Sequence, residues 1–284
     1  MLIRAGTYSE QLAPVNSGTA SKPITFKNYP GETPTIQNLS GVVAILLRNV
    51  SYITIEGLTF NNVVGFGRIE NASYNIFRSN SFSNATSGGT SGALKFVTGS
   101  QYNKVLLNTF TNGNGDTLMF QDADRNLAEG NTFSGAVHSQ ADVRCGNYNV
   151  FRNNTSYNAD QKSGEIIDCE AISDAPFKLD ATKYNIWENN KFTFTRASSR
   201  DYDYNAIQYA GQHGIVRRNV FYDNQGGGLN FQVYTNEALY NYGHRVYHNT
   251  FYNNRCYAIA ASSDTTASRY YDNQVKNNLI YKNY

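Results

Sequence analysis

A short phrase recurs with variation along this whole chain: an aromatic or polar pair, an apolar residue, a charged residue, then Asn-x-Phe. One copy reads Tyr74-Asn75-Ile76-Phe77-Arg78-Ser79-Asn80-Ser81-Phe82, and others run Tyr102 to Phe110, Arg125 to Phe133, Tyr148 to Asn154, Tyr184 to Phe192, His213 to Phe221, His244 to Phe251 and Val275 to Ile280. Aligned on its aromatic, with Phe60 first, the phrase returns after 22 residues (Phe60 to Phe82) and at most after 36 (Ser156 to Phe192). A unit this short cannot bury its own apolar face, so copies must stack on one another as a solenoid.

The content of each copy selects the kind of solenoid. Val, Ile, Phe and Tyr alternate with Asn, Gly, Ser and Thr in short runs, and no ten-residue stretch carries apolar residues at helical spacing, which excludes helical repeats. Three strands of three to five residues with three turns close one coil of an all-β, single-stranded parallel β-helix. Coils stack at the strand spacing of about 4.8 Å, so about 9–11 of them form a rod roughly 40 to 50 Å long. The repeat leaves no linker, and residues 1–284 read as one domain.

Composition narrows the function classes. A net charge of +2 argues against a nucleic-acid partner, which calls for a concentrated basic face. No run of 18 apolar residues encodes a membrane span. Tyr occurs 22 times; exposed aromatics suit sugar rings, although many of these sit in the repeat phrase and read as structural. Cys145, Cys169 and Cys256 lack metal-finger spacing, and buried reduced thiols are the expectation. The start, Met1-Leu2-Ile3-Arg4-Ala5-Gly6-Thr7-Tyr8, enters directly into a strand with no signal peptide, and the last residues stop inside another copy, so the chain reads as trimmed at one or both ends.

The opening segments, Ala5-Gly6-Thr7-Tyr8-Ser9-Glu10, Ser17 to Phe26 and Pro30-Gly31-Glu32-Thr33-Pro34-Thr35-Ile36, resemble the first coils of right-handed parallel β-helix proteins of the pectate-lyase-like superfamily. With Ile53 to Phe60 and the Asn-x-Phe copies, the resemblance spans nearly the whole chain. It implies the fold, a carbohydrate-active function and a secreted or cell-surface location. It does not name the chemistry, because that superfamily holds lyases, hydrolases, epimerases, tailspikes and adhesins.

Column reasoning locates a site. Outward side chains of successive coils stack on one face. The residue two before each Asn gives Arg78, Leu106, Glu129, Arg152, Glu188, Arg217, Tyr247 and Lys276; its alternating signs predict a cross-strand charge ladder on a non-catalytic face. The Asn column, Asn80 to Asn278, predicts an amide ladder at a turn, and the Phe column a core stack. The strand before each phrase is irregular. With Ile69, Phe96, Phe120, Val143, Leu179, Ile207, Phe231 and Ile259 inward, it presents Lys95, Gln121, Asp142, Arg144, Lys178, Asp180, Gln208, Asn230 and Gln232 outward. The coil from Ser156 to Phe192 is 13 residues longer than the one before it, and its acidic segment Asp160 to Glu170 reads as a loop walling a groove. A second insertion, Arg196 to Tyr204, adds Arg200 and Tyr202, and Tyr209 lies in the groove beside Gln208.

Two chemistries fit, with a polysaccharide as partner in either. A lyase on a uronic-acid chain uses β-elimination, with Lys178 as base, Arg144 on the sugar carboxylate and Glu165, Asp168 and Glu170 as oxygen ligands for Ca2+. Glu165 lies in Gly164-Glu165-Ile166-Ile167, which resembles chondroitin-B and alginate lyases of this fold, although their following Lys and Arg-His-Gly are missing. A hydrolase needs paired carboxylates, Asp142 with Asp180 or Asp122 with Asp124. A non-catalytic glycan-binding or structural β-helix is the third reading. His138, His213, His244 and His248 follow no metal-ligand spacing.

Overall fold

The structure is a computed structural model that describes residues 1–167, 182–196, 204–233, 240–263 and 269–283. Among these residues every strand pairing is parallel and joins neighbouring coils, in sheets of eleven, eleven and nine strands and a two-stranded sheet of Tyr240–Tyr242 with Arg269–Tyr271. The first sheet holds strands such as Ile76–Arg78 and Lys104–Leu106, the second Ser81–Ala85 and Thr109–Thr111, and the third Leu94–Val97, Leu118–Gln121, Ser139–Arg144 and Lys162–Ile167. The only helical turn among the described residues is Gly89–Ser91. A right-handed parallel β-helix, as expected, is the architecture.

Stacked aromatics fill the interior. Phe60, Phe82, Phe110 and Phe133 lie in register with ring centroids 4.8–5.0 Å apart, and the stack resumes through Phe192, Phe221 and Phe251. Ser156 interrupts it. There the indole of Trp187 stacks on Phe151 at 4.2 Å. Gly164 makes room for it: a Cβ at that position would lie 2.6 Å from the ring.

The corners flanking the first sheet are held by buried amides. From Asn108 through Asn131, Asn154, Asn190, Asn219 and Asn249 to Asn278, each Oδ1 accepts the backbone N–H of the ladder Asn one coil earlier, starting with that of Asn80, at 2.9 Å. A second ladder, Asn75, Asn103, Asn126, Asn149 and Asn185, repeats this at the other corner. The left-handed backbone falls on the residue before the ladder Asn, at Ser79, Leu107, Asn153 and Asn189. The ladder Asn therefore earns its place through its amide and not through its tolerance of positive φ.

The charge column is also as read. Arg78 pairs with Glu56 at 2.6 Å, Arg152 with Glu129 at 2.9 Å, and Arg217 donates to Glu188 and to the Tyr247 hydroxyl at 2.7 and 3.0 Å. With these corners pinned, the added length enters the chain next to strands of the third sheet. Residues 168–181 follow Ile167, 197–203 precede Asn205, and 234–239 follow Val233.

That placement corrects the expected wall. Lys162–Ile167 is a regular strand of the third sheet, pairing on one side with Ser139–Arg144 and on the other with Asn205–Tyr209. The strand position assigned to Leu179 therefore belongs to Ile166, which lies in register with Val143 and Tyr209. Ile259 pairs with Leu229 and not with Phe231. Cys145 is disulfide-bonded, against the expectation of a reduced thiol.

Candidate functional site

Outward positions of the third sheet form one continuous column: Arg68, Lys95, Met119, Asp142, Glu165, Gln208, Asn230 and Ala260, in register from coil to coil. A parallel column two residues on contains Glu70, Val97, Gln121, Arg144 and Ile167. At the middle of the sheet the turns before the strands add Asp116 and His138, and the first residue of the next strand adds Lys162. Gly115 lets the first of these turns close, because a Cβ there would lie 2.4 Å from the backbone of Gly89. Asp116 then donates its N–H to Gly89 O at 3.0 Å, and its carboxylate stands over the next coil.

These residues form one network. Arg144 spans three carboxylates: Nε donates to Asp142 Oδ2 at 2.6 Å, and Nη2 lies 3.2 Å from Asp116 Oδ2 and 3.8 Å from Glu165 Oε2. His138 Nδ1 lies 2.6 Å from Asp116 Oδ1 and 3.8 Å from Glu165 Oε2. Lys162 Nζ donates to Glu165 Oε1 at 2.5 Å. The carboxylates are buried, at most 1% exposed, whereas the His138 side chain is 32% and Arg144 17% exposed. The surface offered to solvent is therefore cationic, over an anionic floor.

Burial and proximity shift the titrating groups. Complete burial pushes the Asp142 carboxyl up to about 7; Arg144 opposes this, and Glu165 and Asp116 add to it. Its Oδ1 is buried with no hydrogen-bond partner among the described residues. The hydrogen bond to Asp116 raises His138 above the ordinary imidazole value, against the pull of burial. Burial would lower Arg144, but Asp142, Asp116 and Glu165 together raise it. Concentrating this many charges costs desolvation energy that the fold does not need, since Met119 and Ala260 occupy equivalent positions in other coils.

The expected site residues divide accordingly. Asp142 and Arg144 lie at the centre of this network, and Gln121 pairs in register with Arg144. Lys95, Gln208 and Asn230 share the outward column, the latter two nearly covered at 4% and 3%. Asn230 Nδ2 donates to Gln232 Oε1 at 3.0 Å and to Ser262 Oγ at 2.8 Å, an amide patch beyond Glu165. Tyr209 is not a groove residue. It points inward, fully buried, with its hydroxyl donating to Asn185 O at 3.1 Å and its ring edge-on to His244.

Lys178, Asp180, Arg200, Tyr202, Asp168 and Glu170 lie outside the described residues. Of the alternative pair, Asp124 accepts the N–H of Asn147 at 2.8 Å in a turn, and neither Asp122 nor Asp124 is part of the network. Sequence reading missed Asp116, His138 and Lys162.

Asp116, His138 and Glu165 bring ligand atoms within 4.8 Å of one another. This trio does not suit calcium; the set expected to bind it, Glu165 with Asp168 and Glu170, has two members outside the described residues. Calcium takes six to eight oxygens, whereas here a ring nitrogen replaces one oxygen and Lys162 and Arg144 already contact the carboxylates.

The right handed beta helix region family matches residues 43–179 and 96–280. No curated protein matches the sequence. Among solved structures, the catalytic domain of a GH87 alpha-1,3-glucanase in complex with nigerose is similar over 98% of this chain and 64% of its own, with a TM-score of 0.63 at 14% identity. A GH136 lacto-N-biosidase from Eubacterium ramulus is similar over 98% and 61%, TM-score 0.59, at 12% identity. An alginate lyase from Paenibacillus sp. str. FPU-7 is similar over 99% and 90%, TM-score 0.59, at 15% identity. This chain thus spans under two thirds of the first two. At these identities the likeness is one of fold.

Proposed function

We propose that this chain, which belongs to the right-handed β-helix family, cleaves an anionic polysaccharide by β-elimination on its third sheet. The observation that carries the reading is the pairing of a half-exposed His138, held by Asp116 at 2.6 Å, with the Arg144 guanidinium beside it. Both are accessible, whereas the carboxylates a hydrolase needs are covered. The alginate lyase likeness over most of both chains is compatible with it.

Each group has a role in that reaction. Asp116 takes the Nδ1 proton of His138 in a hydrogen bond, which leaves Nε2 as the basic nitrogen. Nε2 removes the proton α to the uronate carboxylate, the C4–C5 double bond forms as the C4–O4 bond breaks, and the imidazolium returns the proton to O4. Arg144 holds the sugar carboxylate and stabilises charge that builds on it during proton removal. Asp142 and Glu165 fix Arg144, and Lys162 fixes Glu165. The positive charge at the centre comes from side chains, and no step runs through a metal.

The test is incubation with alginate, pectate, glycosaminoglycans and neutral glucans, recording both ultraviolet absorbance of unsaturated uronate and reducing ends. Elimination raises both on a uronate polymer. His138→Gln lowers the rate about 10²–10⁴-fold. Reducing ends without absorbance would refute elimination and favour the second reading. That reading is a glycoside hydrolase in which Asp142, with its carboxyl near 7, is the acid and Asp116 or Glu165 the second carboxylate.

A further inference from the structure

Two strands before the network, the outward column turns cationic without compensation. Lys95 Nζ donates to Thr90 Oγ1 at 3.2 Å and has no carboxylate within ion-pair distance among the described residues. Arg68 reaches Glu70 through Nε at 3.1 Å, but Glu70 also serves Arg48 at 3.0 Å. Arg48 and Arg68 thus share one carboxylate, and Lys95 has none within ion-pair distance among the described residues.

Burial lowers the Lys95 pKa, and Arg68 and Arg144 lower it further, against the opposing pull of Asp142 and Asp116. A partly buried ammonium with only a hydroxyl for company is a poor arrangement unless an anion completes it. Beside it lies a cavity of about 160 Å³, lined by Val43, Gly67, Arg68, Thr90, Ser91 and Lys95. At about 30 Å³ per liquid water, that is room for an oxyanion group and a few waters. The turn Gly89–Ser91 contributes Thr90 and Ser91 to its wall.

We infer that this cavity is an anion subsite that takes a carboxylate or sulfate on a sugar of the bound polysaccharide, held by Arg68, Lys95 and the hydroxyls of Thr90 and Ser91. It rests on the proposed function only in taking a glycan as ligand. Lys95 lies two strands, about 10 Å, from Asp142 along the same column. A chain lying along the column then places one anionic group at Arg144 and another at Arg68 and Lys95. A polymer bearing charge on more than one sugar is selected over one with a single charged residue.

The test is calorimetric binding of the full chain to oligouronates, to a sulfated uronate-free glycan and to a neutral oligosaccharide, at low and high salt. Arg68→Gln with Lys95→Gln is expected to weaken binding of an anionic oligosaccharide at least tenfold at low salt and to leave neutral binding unaltered. Lys95→Arg retains affinity. His138→Gln keeps affinity while losing turnover, so loss of binding in the first variant stands even if no polymer is cleaved. Loss confined to uronates or to sulfated glycans identifies which oxyanion is bound. Undiminished anionic binding in the double variant, its fold verified by circular dichroism, would overturn the inference, as would a wild-type chain that binds neither anion class.

Discussion

Replacing Asn131 by Ala tests whether the amide ladder, and not the charge ladder beside it, holds the coils together. Asn131 is 1% exposed. Its Oδ1 accepts from Asn108 N at 2.9 Å and Asn108 Nδ2 at 3.1 Å, and its Nδ2 donates to Val105 O at 2.8 Å and Asn154 Oδ1 at 3.0 Å. The substitution strands the buried N–H of Asn108, at a cost of about 1–3 kcal/mol, and removes three other bonds worth about 0.5–1.5 kcal/mol each. The expected loss is about 2.5–7.5 kcal/mol. Cutting the exposed Arg152–Glu129 pair by Glu129→Ala costs at most about 1 kcal/mol, because both side chains are solvated.

Urea unfolding followed by fluorescence reads this directly, since Trp187 is the single tryptophan and lies buried two coils away. Nearest-neighbour coupling in a solenoid should carry the defect to it. A loss in Asn131→Ala no larger than that in Glu129→Ala would refute the reasoning and shift the stability to the Phe stack.

Three further outcomes follow from the site and its support. Asp142 titrates near 7 when folded and has an ordinary value of 3.8, so the native state binds the extra proton; stability present at low pH is lost as pH rises from about 4 through 7. His138, raised from 6.5, acts in the same direction. Thermal melts between about pH 5 and 8 should therefore slope downward less steeply in Asp142→Asn than in wild type, and equal slopes would count against the assignment. Gly164→Ala drives a methyl onto Trp187 at 2.6 Å, with a cost of about 1–3 kcal/mol and an altered emission spectrum; an unshifted spectrum contradicts the packing. Chelation should leave the initial rate of cleavage intact, and a rate restored only by added Ca2+ would require a cation at the centre.

The repeat alone determined the coil, its stacking and most of the lateral neighbours. Ladder residues mark each register, and the site column falls eleven residues beyond them: Asn108 to Met119, Asn131 to Asp142, Asn154 to Glu165 and Asn219 to Asn230. Counting forward from Asn154 would have placed Glu165 in the strand, whereas counting back from the Trp187 phrase puts Leu179 there. A one-dimensional period is silent on which side of an insertion belongs to the sheet; the paired hydrogen bonds of Lys162–Ile167 decide it. Tyr209 is similar, since alternation alone cannot tell a covered groove residue from an inward ring. The contact of His138 with Asp116 joins residues 22 apart in two different turns, and turn side chains obey no strand alternation. Their meeting depends on the close approach of backbone at Gly115, which only the folded coil specifies.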